Sequence, residues 1–366
     1  MSRIISIGTA VPKHQTRQSE ILEFMHLAYE NNAVASRKLN VLFHNSGITT
    51  RYSSIPDFDK NRNEHVFFNG TPSTANIEDK LTVFKEQAIP LAIDAINNSF
   101  EKINTTLDKF GITHLITVTC TGMSAPGIDA VLIEQLNLPK DIFHTSVNFM
   151  GCNAAFHALK IADMISKTDA DARILIVCVE LCTLHFQPKA NHDNLLSNTI
   201  FGDGAAAVIV TSDNYSNQTE QNNLTINGFY SLLLTKGKEL MGWNITPVNF
   251  EMILDARIPD VLGDEINSIV DNASVKFKIA PETISNWAIH PGGKKIVDTI
   301  KNKLTLSDED VKASYKILND YGNMSSPTIL FVLNELMQEK NKTGETIFSI
   351  GFGPGLSIET ALFSYV

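Results

Sequence analysis

The segments RILIVCVEL (173–181) and AAAVIVTS (205–212) are apolar at nearly every position rather than at every second one. A strand with one face in water alternates, so strands without a polar face belong to a sheet covered on both sides. RIISIGTAVP (3–12), HLITVTCT (114–121) and FHTSVNF (143–149) read as further strands. GIDAVLIEQLNL (127–138) and CNAAFHALKIADMISK (152–167) lie between them with helical periodicity. Strands alternating with helices in this way specify an α/β fold. The polar stretch SDNYSNQTEQNN (212–223) interrupts the pattern, and then a similar order begins again. It runs through NLTINGFYSLLL (223–234), WAIHPGG, KKIVDTIKNKL (294–304), PTILFVLNELMQEK (327–340), TIFSIGF (346–352) and LSIETALF (356–363). Two similar α/β halves, 1–211 and 224–366, follow from the pattern, although no residue-level repeat joins them.

The 366 residues are 43% hydrophobic, enough for a large core. A formal charge of −10 argues against a nucleic-acid binder. It leaves room for a small anionic ligand held by a few Lys or Arg residues. No apolar run approaches the ~20 residues of a membrane helix. The start, MSRIISIGTAVPKHQ, lacks the apolar core of a signal peptide. Cys120, Cys152, Cys178 and Cys182 form no C-x-x-C pair, which points to free thiols in a reducing cytoplasm. Cys182 and His185 have no second ligand pair at metal-binding spacing, so no metal is expected.

Cys152 stands where an apolar strand gives way to a helix, after Gly151. Unpaired N–H groups and the positive dipole end at a helix start favour thiolate, the nucleophilic form. A small buried hydrophobe is the plainer use of a cysteine, and the other three fit it. His290, in WAIHPGGKK, follows an apolar strand and can aim its ring into a cleft as a proton carrier or donor. Asn323, in YGNMSSPTILFVL, precedes a helix capped by Ser325 or Ser326 with Pro327 in its first turn. Its amide can serve a developing oxyanion. GFGPGLS (351–357) is followed by a strand and not a helix, which excludes a dinucleotide loop and leaves close backbone approach as the use of its glycines. FGDGAAAVIV (201–210) reads as a turn entering a buried strand.

Taken together, GCNAAFHAL, FGDGAAA, WAIHPGGKKI, YGNMSSPTILFVL and GFGPGLSIE resemble the type III polyketide synthases, the chalcone and stilbene synthase family, in order and spacing. The resemblance implies a thiolase fold, a five-layer αβαβα sandwich of two similar halves, working as a homodimer. It implies acyl loading from coenzyme A onto Cys152, extension with malonyl-CoA, and carbonyl and enolate stabilisation by His290 and Asn323. No cofactor is implied, because the thioester supplies the activation. By the same resemblance Phe201 and Met252 are gate positions, Met252 replacing an aromatic residue of plant members. Ser325 and Gly355 line the cavity, and Arg51, Lys38 and Lys295 are candidates for holding coenzyme A.

The chain departs from the plant pattern in several places. Cys120 replaces a threonine that shares a hydrogen-bond relay with Glu180 and Ser325, and a thiol is a poor relay group. Cys182 and His185 replace wall threonines, and Ala125 replaces a methionine that reaches into the partner's cavity. The Ala125–Pro126 bond is expected to be cis. These changes point away from a chalcone or stilbene product, toward a fatty acyl or malonyl primer, and toward a pyrone, resorcinol, phloroglucinol or naphthalene product. The alternatives are an initiating 3-oxoacyl-(acyl carrier protein) synthase, a hydroxymethylglutaryl-type synthase and a catalytically silent scaffold homologue.

Overall fold

The computed structural model describes residues 1–30, 32–58, 66–67, 75–212, 223–246, 250–339 and 343–366. Its strands are β1 (Ser2–Ala10), β2 (His14–Arg17), β3 (Thr50–Ser53), β4 (His114–Thr119), β5 (Phe143–Asn148), β6 (Arg173–Leu181), β7 (Asp203–Ser212), β8 (Leu224–Leu233), β9 (Met241–Ile245), β10 (Phe250–Leu254), β11 (Asn286–Ile289), β12 (Thr346–Gly353) and β13 (Ser357–Tyr365). Nine of them form one sheet in the order β11-β12-β13-β8-β1-β7-β6-β4-β5. The pairs β4–β5, β4–β6 and β11–β12 are parallel, and the others are antiparallel.

The sheet contains an internal repeat. Outward from its middle, β1, β7, β6 and β4 stand in the same succession as β8, β13, β12 and β11. In each half the first strand lies beside the last, then the penultimate, then an earlier parallel one. The two series meet along only three residue pairs, Ser2 with Ile226, Arg3 with Thr225 and Ile4 with Leu224. Residues 213–222, most of the expected junction, lie outside the described residues.

The layers follow from the apolar strands. In β6, Leu175, Val177, Val179 and Leu181 face one core, while Ile174, Ile176 and Cys178 face another. β7 divides Ala205, Ala207 and Ile209 from Ala206, Val208 and Val210 in the same way. The outer face of the first half carries the helix Ile77–Glu101. The middle core holds the helices Ala154–Thr168 and Ser326–Met337 between both series of strands. A third core packs Ile258–Phe277 and Lys294–Lys303 on the outer face of the second half. The result is the αβαβα sandwich, with the largely buried helix Ser326–Met337 in its centre. Truncating a leucine in that layer costs about 2–5 kcal/mol.

The strand RIISIGTAVP stops at Ala10, two residues short of Pro12, which has no N–H for the ladder. The regular helix after Cys152 starts at Ala154, because Gly151–Asn153 form a 3₁₀ turn. The Ala125–Pro126 bond is cis. Among the described residues no helix is long and apolar enough to cross a membrane.

Candidate active site

Cys152 occupies the 3₁₀ turn between β5 and the middle helix. Gly151 before it has φ +79°, and a Cβ there would lie 2.2 Å from Cδ of Pro354. The turn after β12 therefore rests directly on the turn that carries Cys152. Gly353 adds to this, since its Cβ would stand 2.4 Å from Oδ1 of Asn153. The glycines of GFGPGLS serve close backbone approach, as their flanking strands indicate.

Asn323 sits between the helices Lys312–Tyr321 and Ser326–Met337. Its Oδ1 accepts the N–H of Ser325 at 2.8 Å, which fixes the amide orientation. Nδ2 is thereby aimed at Sγ of Cys152, 4.0 Å away, and at the carbonyl of Gly292, 3.4 Å away. Gly292 lies two residues beyond His290, so one amide links Cys152 to the histidine loop. Ser325 holds φ +60° and ψ −129°, a strained conformation for a non-glycine residue. Strain of this kind accumulates where surrounding contacts impose a working geometry.

His290 is held by its N–H on the carbonyl of Ile350 at 2.8 Å. Both ring nitrogens are buried without a partner among the described residues. Burial pulls the imidazole down to about 3, so it is neutral. Burial likewise pushes the Cys152 thiol up to about 11, against the pull of the Ser325 hydroxyl and the Asn323 amide. The sequence led to a thiolate expectation. The structure reverses it, since the regular helix begins two residues later and desolvation of the charge dominates. A protonated thiol beside neutral donors and acceptors is the resting arrangement.

Phe201 and Asn323 are tied backbone to backbone. The N–H of Asn323 donates to Ile200 at 2.8 Å, and Gly202 donates to the Asn323 carbonyl at 3.0 Å. Beneath this bridge lies Arg51, wholly buried. It donates to the carbonyls of Phe201 (2.6 Å) and Asn198 (2.9 Å) and to Oε1 of Gln18 (2.9 Å). These three partners are internal, so Arg51 braces the bridge, while the residue also lines the cavity around Cys152. Lys38 is exposed on the helix Ala33–Asn45, and Lys295 is exposed and paired with Asp260 at 3.3 Å. Neither lines the cavity around Cys152.

That cavity has a volume of about 60 Å³, room for roughly five waters. Cys120, Cys152, Cys182, His185, Phe201, Met252 and Ser325 line it, as the sequence reading placed them. Three expected wall residues do not. Glu180 is fully buried behind the wall, accepting from the N–H groups of Cys120 (2.9 Å) and Thr121 (3.1 Å) and the hydroxyls of Thr121 (2.7 Å) and Ser326 (2.7 Å). The serine on Glu180 is thus Ser326 and not Ser325, which faces Cys152 instead. Gly355 has φ +89° and shapes the turn that brings Pro354 to the cavity. Ala125 is exposed and lines nothing within the single chain.

Sequence reading missed Trp243 and Phe250, which line the cavity from the β9–β10 hairpin. The alternation in MGWNI and NFEMIL was the available signal. It was weak because each strand is only five residues long. Among the described residues no group of three or more His, Cys, Asp or Glu is placed to hold a metal.

Comparison with known proteins places these features in company. Residues 1–214 match the family described as chalcone and stilbene synthases, N-terminal domain, and residues 230–366 match the corresponding C-terminal domain. The chain is 31% identical over 363 residues to "Probable polyketide synthase 1" of Dictyostelium discoideum, of which it spans 11%. It is 29% identical over 367 residues to "3,5-dihydroxyphenylacetyl-CoA synthase" of Streptomyces toyocaensis, covering 99% of this chain and 90% of that one. The crystal structure of PKS-I from the brown alga Ectocarpus siliculosus superposes with a TM-score of 0.90 at 26% identity, covering 100% of this chain and 98% of the other.

Proposed function

The chain belongs to the chalcone and stilbene synthase family of type III polyketide synthases, malonyl-CoA-dependent acyltransferases, and from that premise we propose that it condenses short acyl units, with malonyl-CoA as both primer and extender. The Asn323 amide carries the reading. Its Oδ1 is locked by Ser325, and its Nδ2 is presented to the thiol that lines the cavity. In the loading step Sγ of Cys152 attacks the thioester carbonyl while neutral His290 accepts the thiol proton. The carbonyl oxygen is held by the Asn323 N–H, and coenzyme A leaves as a thiol after taking that proton. In the extension step a second malonyl-CoA loses carbon dioxide. The resulting enolate oxygen is stabilised by the same neutral donors, and its C2 forms the new C–C bond as the bond to Cys152 Sγ breaks. Residues 1–211 supply the nucleophile, and residues 224–366 supply the histidine and amide. No resident cofactor is needed.

The name of the Streptomyces relative describes an aromatic product that is still a coenzyme A thioester, which favours a resorcinol-type ring here. The small cavity favours malonyl over a fatty acyl primer. Four free thiols fit a reducing cytoplasm. The working unit is a homodimer: β5 is the outer edge of the sheet, with Phe143 (54% exposed) on it and Met150 (38% exposed) just beyond it. An unpaired edge strand with an exposed Phe143 invites pairing with a second copy.

The test is mass spectrometry of products from purified protein with malonyl-CoA, alone and with a series of acyl-CoA primers, beside Cys152→Ala. Polyketides that require Cys152 are expected. Condensation only when malonyl is carried on acyl carrier protein would refute the reading in favour of the initiating synthase.

A further inference from the structure

His185 ends the 3₁₀ turn Cys182–His185, which follows β6. The turn is fixed through Thr183, whose N–H and hydroxyl donate to the buried Asp203 carboxylate at 2.8 and 2.7 Å. The imidazole lies flat against Phe250, with centroids 4.6 Å apart and planes 13° from parallel. Trp243 meets it edge-on, at 5.5 Å and 86°. These two rings hold the imidazole plane in place.

One ring nitrogen is already committed. Nε2 stands 2.7 Å from the Thr121 carbonyl, which can only accept, so Nε2 carries the hydrogen. Burial pulls the imidazole down to about 3, so the ring is neutral and Nδ1 keeps a bare lone pair. Nδ1 is buried without a partner among the described residues, and His185 lines the same cavity as Cys152. A buried acceptor left without a donor is costly. A threonine hydroxyl at this place could donate or accept, but Nδ1 in the fixed tautomer can only accept. Its partner is therefore an O–H or N–H group on whatever enters the cavity.

We propose that His185 is a substrate-binding residue whose Nδ1 accepts the enol O–H of a 3-oxoacyl chain, selecting the enol over the keto form before ring closure. This rests on the condensing-enzyme reading above. A 3-oxoacyl thioester reaches its enol by moving one methylene proton to the ketone oxygen, so no atom or electron is gained or lost. In free solution the enol O–H turns back onto its own thioester carbonyl. In the condensing reading that carbonyl is held by the Asn323 N–H, which releases the enol O–H to Nδ1. A keto oxygen at the same place would set lone pair against lone pair. A saturated chain would leave Nδ1 bare.

The experiment measures binding of acetoacetyl-CoA and butyryl-CoA by isothermal titration calorimetry, in a Cys152→Ala background that lacks the thiol to be acylated. The two thioesters share one carbon skeleton, and only the first can present an enol O–H. No turnover is involved, so a failed polyketide assay leaves this result readable. Acetoacetyl-CoA is expected to bind about 3–10-fold more tightly than butyryl-CoA, the yield of one hydrogen bond. His185→Asn keeps an acceptor near the position of Nδ1 and should keep the preference. His185→Gln puts its amide near the position of Nε2, keeps the donor to Thr121, and should lose the preference. A merely structural role would give the opposite order, because it depends on the Thr121 bond. If either variant proves unfolded by circular dichroism, nitrogen NMR of isotope-labelled histidine in the Cys152→Ala protein gives the same reading. The Nδ1 resonance should move with acetoacetyl-CoA and stay with butyryl-CoA. Equal affinities for the two thioesters overturn the proposal. So does a preference that survives His185→Gln in a folded protein, or an Nδ1 resonance that responds alike to both.

Discussion

Arg51→Met separates a brace from a ligand. The guanidinium supplies three donors to internal acceptors, on Phe201, Asn198 and Gln18. Leaving three buried acceptors bare costs about 1–3 kcal/mol each, or roughly 6 kcal/mol in all. Against this stands the burial of the charge itself, which pulls the guanidinium from 12.5 down to about 9. At about 1.4 kcal/mol per pH unit, that is roughly 5 kcal/mol that methionine does not incur. The two effects nearly cancel, so the net loss is on the order of 1 kcal/mol, small beside a stability of ~5–15 kcal/mol. The variant should therefore fold, with a urea midpoint close to wild type. The damage falls on the bridge between Phe201 and Asn323, whose carbonyl tether is gone. A displacement near 1 Å at a reacting group costs on the order of 100-fold in rate, so kcat for malonyl-CoA consumption should drop by about 10–100-fold while KM holds. Steady-state kinetics and urea titration read both quantities. A raised KM with kcat intact would refute the reasoning and return Arg51 to the role of coenzyme A ligand.

Asn323→Ala should cut carbon dioxide release from malonyl-CoA by about 10²–10³, the usual effect of losing one oxyanion donor; an unchanged rate would remove the amide from the mechanism. Ser325→Ala should move the pH midpoint of Cys152 alkylation upward, because that hydroxyl pulls the thiol's pKa down against burial; iodoacetamide labelling followed over pH checks the sign. Gly151→Ala should lose both stability and activity. A left-handed residue costs about 1–2 kcal/mol more with a side chain, and its Cβ would collide with Pro354; normal expression and turnover would contradict this. If the proposed homodimer forms through the β5 edge, Phe143→Asp should shift it toward monomer in sedimentation velocity, and an unchanged sedimentation coefficient would place the interface elsewhere.

Much of this architecture is visible in the sequence. The strands β6 and β7 declare themselves because burial on both faces leaves their middles without the alternating polar positions of a half-exposed strand, and the helix Ser326–Met337 does so because Ser-Pro opens it and an apolar run follows. The candidate trio is legible because Cys152, His290 and Asn323 each stand at an element end, the first and last directly after a glycine and His290 before Pro-Gly-Gly, where the backbone can turn and a side chain can face a cleft. What failed depended on which way a side chain turned after the backbone was set. Arg51 reads as a surface cation, yet the chain folds three acceptors around it. Ser325 and Ser326 are neighbours in sequence, but the positive φ of Ser325 sends one toward Cys152 and the other toward Glu180. The aromatic wall was hidden because two five-residue strands carry too short a period to stand out.

The seam between β1 and β8 has a kinetic consequence. Only three residue pairs join the two strand series there, while Cys152 lies in one half and the Asn323 amide and His290 imidazole lie in the other. Each half can regain its own ladders before the two dock. A refolding chain should then recover far-ultraviolet ellipticity ahead of turnover, with the lag reporting the docking step. Catalytic power in this molecule is a clock for the closing of two halves, and it starts only when the last strand pairs are made.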